Sequence, residues 1–106
     1  MADKISPSAL VAGLYSHFRR MLYAVINKGT AEEAAAVMGV KTFAVENAKR
    51  QAAVYGARRI KSINDRINET ELNIKSGKIY EYNALILIIM FILSQRDIAT
   101  RQKYGV

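Results

Sequence analysis

The sequence has no cysteine, no tryptophan, one proline and one histidine in 106 residues. Without thiols there is no disulfide framework and no thiolate metal site, a composition that fits a reducing cytoplasm. A lone histidine, His17, leaves nothing from which to build a histidine-ligated site or a His-based relay, and no Asp, Glu or Cys stands near it in sequence. It sits at the edge of an apolar stripe, one turn from Leu14 and Met21, as a packed boundary residue. The phosphate-cradling pattern G-x-x-x-x-G-K-[ST] does not occur, since "KSGK" (Lys75 to Lys78) lacks the preceding glycine-rich span, so nucleotide hydrolysis is not expected. The apolar run "ALILIIMFIL" (Ala84 to Leu93) is ten residues long. That is about half of the roughly 20 needed to cross a bilayer, and it reads as a core helix with no membrane role. "MADKISPSAL" lacks the long apolar stretch of a signal peptide and is equally compatible with a natural start or an expression start.

Acidic residues are also scarce, nine against sixteen basic, for a formal charge of +7. The excess is concentrated. Residues 41–61 carry +5 (Lys41, Lys49, Arg50, Arg58, Arg59 and Lys61 against Glu46), whereas 30–40 carry −2. Such a stretch marks nucleic acid, an acidic protein partner or a solvated helix face. A chain of this length forms one domain, 1–106, and removes roughly 65% of its unfolded surface from water on folding.

What is present repeats at helical spacing, with no alternating run that suggests a sheet. The fold class is all-α, a compact bundle of about five helices. Ser6 caps a first helix with Pro7 at its first position, and Leu10, Leu14, Phe18, Met21, Leu22 and Val25 form its apolar stripe up to Asn27-Lys28-Gly29. Thr30 and Glu33 match a capping box that starts a short alanine-rich helix ending at Met38. A third helix runs from about Thr42 to Tyr55 with Val45, Ala48 and Ala52 inward, and Gly56 breaks it. Ile60, Ile63, Ile67 and Ile74 predict a fourth over roughly 57–75. The last spans about Tyr80 to about Ile98, apolar on all sides through its middle, so that neighbours or another chain must cover it. "SQRDIATRQKYGV" reads as a ragged polar end.

Two constellations merit weighing as chemistry. Glu69 and Glu71 do not converge as an acid and base, because helical geometry puts only Glu71 near the Ile67 and Ile74 side. There a carboxylate wants a structural partner, a basic residue of another helix or a helix N-terminus. Secondly, Ala35, Gly39 and Val45 have the spacing of a helix-turn-helix, a small residue, a turn glycine and an apolar lock. A reading helix would present Thr42, Phe43, Glu46, Asn47 and Arg50. Asn47 and Arg50 suit base edges, but Phe43 meets only thymine methyls and Glu46 opposes phosphates. Glu46 and Arg50 also form an i,i+4 pair, and Arg58, Arg59 and Lys61 lie beyond Gly56, off that helix. The shape is therefore better supported than DNA reading, and Phe43, Asn47, Arg50, Arg58, Arg59 and Lys61 are the candidate partner or DNA contacts. No catalytic, cofactor or metal residues are expected.

In order and spacing, "LYSHFRRMLYAVINKGTAEEAAAVMGVKTFAVENAKRQA", "INETELNIKSGKI" and the final apolar helix resemble the C-terminal domain of the delta subunit of the bacterial DNA polymerase III clamp loader. The likeness covers about 80 of the 106 residues and lies in the sequence of pieces more than in any one motif. It implies a helical collar domain that associates with the other clamp-loader subunits, without catalysis, in the loading of the sliding clamp during DNA replication. The clamp itself would be contacted by an ATPase-like N-terminal region that this sequence does not carry. The Arg19-Arg20 helix, the Ala35/Gly39/Val45 turn and the Glu71, Lys75 and Gly77 ending carry over as architecture. Tyr55-Gly56-Ala57 departs from the polar helix start common in the family, and the stretch beyond Ser94 does not align. The alternative is a small basic helix-turn-helix DNA-binding protein; an interfacial membrane helix at 80–101 is disfavoured, because an all-round apolar cylinder is not built to lie on a surface.

Overall fold

The computed structural model describes residues 5–104. Among them are five helices and no strand: α1 (Pro7–Ile26), α2 (Ala31–Met38), α3 (Thr42–Tyr55), α4 (Ala57–Lys75) and α5 (Glu81–Tyr104). The hub is α1, which touches all four other helices. Ser6 caps it by accepting a hydrogen bond from the Ala9 N–H at 3.1 Å, and Pro7 occupies the first turn where its missing N–H costs nothing. Its buried residues are Val11, Phe18, Met21 and Ala24, rotated from the expected stripe, with Leu10 exposed and Leu14, Leu22 and Val25 only partly covered. A helix with four neighbours buries what those neighbours approach, so valine and alanine lie innermost and the leucines flank them.

The α2–α3 unit follows the sequence closely. The Thr30 hydroxyl accepts from the Glu33 N–H and the Glu33 carboxylate from the Thr30 N–H, both at 3.1 Å, so two otherwise unpaired amides of the first turn are satisfied. Gly39 takes φ +70 and lets the Val40 N–H reach back to the Ala35 carbonyl at 3.1 Å. Val45 is fully buried in the same core as Ala34 and Ala35, and Ala48 and Ala52 complete the inner face of α3.

Between α3 and α4, Gly56 sits at φ +86, ψ 155, a region open almost only to glycine. A Cβ there would meet nothing within 4 Å, so backbone strain alone sets the penalty of a side chain. Gly56→Ala is expected to lower stability by about 1–3 kcal/mol. Urea unfolding checks this; a midpoint equal to wild type would show that the link relaxes freely.

Along α4, Ile60, Ile63 and Ile67 are fully buried, while Ile74 is partly so. Between them lies Asn64, only 5% exposed, which the sequence did not single out. Its Nδ2 donates to the Phe18 carbonyl at 2.9 Å and to the Ile60 carbonyl at 2.8 Å, tying α4 to α1. Its Oδ1 has no partner. Glu71 is half-buried with no cation at ion-pair distance among the described residues, against the expected pairing. Leu72 beside it is exposed, so that end of α4 is open to water and the carboxylate can stay hydrated.

The last helix differs most from expectation. It continues to Tyr104 in place of ending near Ile98, so "SQRDIATRQKY" is helical. No glycine or proline interrupts it, and Asp97 and Arg101, four apart, pair at 3.3 Å on the extension. Among the described residues of α5, only Ala84, Ile88, Ile92 and Ala99 are buried. The Arg66 guanidinium stacks 4.3 Å above the Phe91 ring, and the Ser8 hydroxyl bonds the Glu81 carboxylate, so α4 and α1 hold one side of it.

Candidate partner surfaces

The uncovered side of α5 is apolar. Tyr82, Ile86, Ile89, Met90 and Leu93 recur at spacings of four, three and one and form one exposed stripe, with Met90 60% and Leu93 57% accessible. At its edge a groove of about 430 Å³ runs between α5 and α1, lined by Ile5, Ala9, Leu10, Gly13, Leu14, Leu85 and Ile89. Gly13 is its least expected component. Glycine inside a helix costs about 0.5–1 kcal/mol relative to alanine, yet a Cβ here would meet nothing within 4 Å. By length and composition Glu81–Gln102 could also cross a membrane. The uninterrupted apolar run is only Ala84 to Leu93, however, about 15 Å at 1.5 Å per residue against a hydrocarbon core of about 30 Å. Ser94 and Gln95 follow it, and the charged Arg96, Asp97 and Arg101 come within the next eight residues.

The six candidate contact residues do not form one surface. Phe43 is 60% exposed, and Asn47 lies one turn along the same side of α3. Arg50 donates to the Asn47 side chain, not to Glu46 as the i,i+4 spacing suggests. Arg59 is engaged elsewhere, reaching the Tyr55 carbonyl at 3.5 Å and the Gln102 side chain, and Lys61 pairs with Asp65 at 2.8 Å. Arg58 is exposed on α4. The basic stretch thus divides between an α3 rim and an α4 face whose charges are partly occupied.

Beside that rim, two adjoining half-open cavities of about 200 and 230 Å³ lie between α1 and α3, with α5 at one end, and share His17, Met21 and Gln51. Arg20, Phe43 and Asn47 lie at one end, and Val54, Tyr55 and Arg96 at the other. His17 is exposed here, its ring edge-on to Phe18 at 5.4 Å, where the sequence suggested a packed residue. Burial pushes the Tyr55 phenol above its ordinary pKa, against a weaker opposing pull from Arg96, so the hydroxyl stays protonated and able to donate.

Fold and surfaces together describe a small all-helical domain built on a helix-turn-helix, with a bare apolar helix face. Residues 1–92 match the family described as DNA polymerase III delta subunit, C-terminal domain, and the chain belongs to that family. It is thereby a domain of a clamp-loader subunit. No curated protein and no solved structure gives a significant match.

Proposed function

We propose that this chain acts as a single collar domain, residues 1–106, that assembles with sister clamp-loader subunits in the cytoplasmic replication machinery and performs no catalysis itself. The observation that carries this reading is the exposed stripe from Tyr82 to Leu93, continuous with the α1 groove. A patch of this kind marks a protein interface more often than a solvated surface. Gly13 fits the same purpose, because the missing side chain admits a partner helix close to α1. Phe43, Asn47 and Arg50 are secondary contacts at the α3 rim, with Arg58, Arg59 and Lys61 as peripheral ones. Contact with the sliding clamp would fall to an ATPase-like region of the subunit, and direct contact of this domain with DNA would be weaker than its contacts with protein.

Sedimentation velocity with the cognate sister collar domains tests the assignment. Wild type is expected to co-sediment at micromolar concentration. Met90→Glu and Leu93→Glu should weaken association at least tenfold while changing stability by less than about 0.5 kcal/mol, as exposed substitutions do. Failure of the wild-type chain to associate would overturn the collar reading.

A further inference from the structure

The geometry points to a second docking site, independent of the α5 face: the groove between α1 and α3 takes an extended acidic peptide segment of a partner protein, carboxylates flanking an apolar side chain. Its charge is one-sided. Among the described residues no carboxylate lines either cavity, α1 contains no acidic residue, and the only one on α3 is Glu46. At about 100° per residue, Glu46 is turned that far from Asn47 and about 140° from Gln51, which keeps it out of the cavities and beside Arg50 on the outer rim. Arg20 and Arg96 stand at opposite ends and Arg50 on the rim, and among the described residues none of the three is in an ion pair.

Between the cations the groove holds no further lysine or arginine. Its floor is Phe18, Met21 and Ala48, and its walls carry the amides of Asn47 and Gln51. That pattern separates the possible occupants. A nucleic-acid strand bears a phosphate at every nucleotide and needs cations along the whole track. A short peptide needs them only where its carboxylates fall. Its apolar side chain would enter the floor beside Phe43, and side-chain amides, which both donate and accept, match its backbone N–H and C=O groups. Two cavities of about 200 and 230 Å³ admit side chains and not a duplex.

The test is fluorescence anisotropy with a fluorescein-labelled peptide holding a Leu-Phe pair between two Glu pairs, alongside its lysine counterpart and a labelled oligothymidylate. The full chain should bind the acidic peptide saturably at micromolar concentration and neither of the others. Arg20→Glu and Arg96→Glu should each weaken binding at least tenfold. Arg58→Glu, the same charge change outside the groove, should leave it unchanged, as should Met90→Glu, which separates this site from the assembly face and lies too far along α5 to pair with Arg96. Arg20 and Arg96 are exposed, and unchanged circular dichroism melts would verify folding of the variants. If a variant does melt early, amide shifts of His17 and Gln51 in the wild-type chain on adding peptide give the same answer. No saturable binding, equal loss in Arg58→Glu, or binding of oligothymidylate in place of the peptide would each overturn the proposal.

Discussion

Ile63→Ala is expected to remove about 2–5 kcal/mol of stability, the range for a fully buried isoleucine cut to its Cβ. That is a large part of the roughly 5–15 kcal/mol that holds a domain of this kind together. Ile63 has no solvent exposure and lies between Ile60 and Ile67 on the face that α4 turns to α1. The cavity left behind cannot close by sliding the helices together, because the Asn64–Phe18 hydrogen bond fixes their approach one residue away. Ile63→Val, which deletes one carbon, should cost only about 0.5–1.5 kcal/mol. Leu72→Ala on the exposed side of the same helix should cost less than about 0.5 kcal/mol. Urea unfolding of the three variants checks the ranking; equal losses at positions 63 and 72 would contradict the packing described here.

Asn64→Asp should be at least as damaging, at about 3–5 kcal/mol near neutral pH, the usual result of leaving a buried charge uncompensated. The substitution replaces the amide that donates to the Phe18 and Ile60 carbonyls with an oxygen that repels both. Burial raises the carboxyl pKa in the folded state above its unfolded value of about 3.9. Between those two values the folded chain holds the extra proton, so stability falls as pH rises through the interval and is then level. The loss should therefore be smaller at pH 4 than at pH 7. Asn64→Leu should fall within about 1 kcal/mol of wild type, because it removes the unpartnered Oδ1 together with the donor. Thermal melts at the two pH values decide this; a pH-independent loss in the aspartate variant would mean that water reaches the site.

Why the α2–α3 unit was legible from the sequence, and the inner face of α1 only in part, follows from where their constraints lie. The capping box, the Gly39 turn and the Val45, Ala48 and Ala52 face are set by residues within a few positions of one another. The inner face of α1 depends on which of four neighbours comes closest, and no window along the chain contains that information. Asn64 escaped notice because an amide amid isoleucines has the sequence signature of a solvated position. Its burial comes from the backbone of a helix 46 positions away. The helix-turn-helix shape was similarly readable, along with outward-facing Phe43 and Asn47. The grooves were not. Each is made by two helices that are remote in sequence, so the juxtaposition of His17 with Gln51, or of Gly13 with Ile89, exists only after packing.

The half-covered α5 also governs how the isolated domain behaves as a solute. Its apolar stripe attracts copies of the chain to one another, and a net charge of +7 at pH 7 holds them apart. The repulsion reaches about 10 Å at 0.1 M salt and about 3 Å at 1 M, while the attraction of apolar surface does not weaken. The domain is thus a charged colloid with an adhesive line along one side, stable as a dilute dispersion at low ionic strength. Concentrated salt, or a pH near its isoelectric point of about 9.9, removes the barrier to clustering without unfolding a single helix.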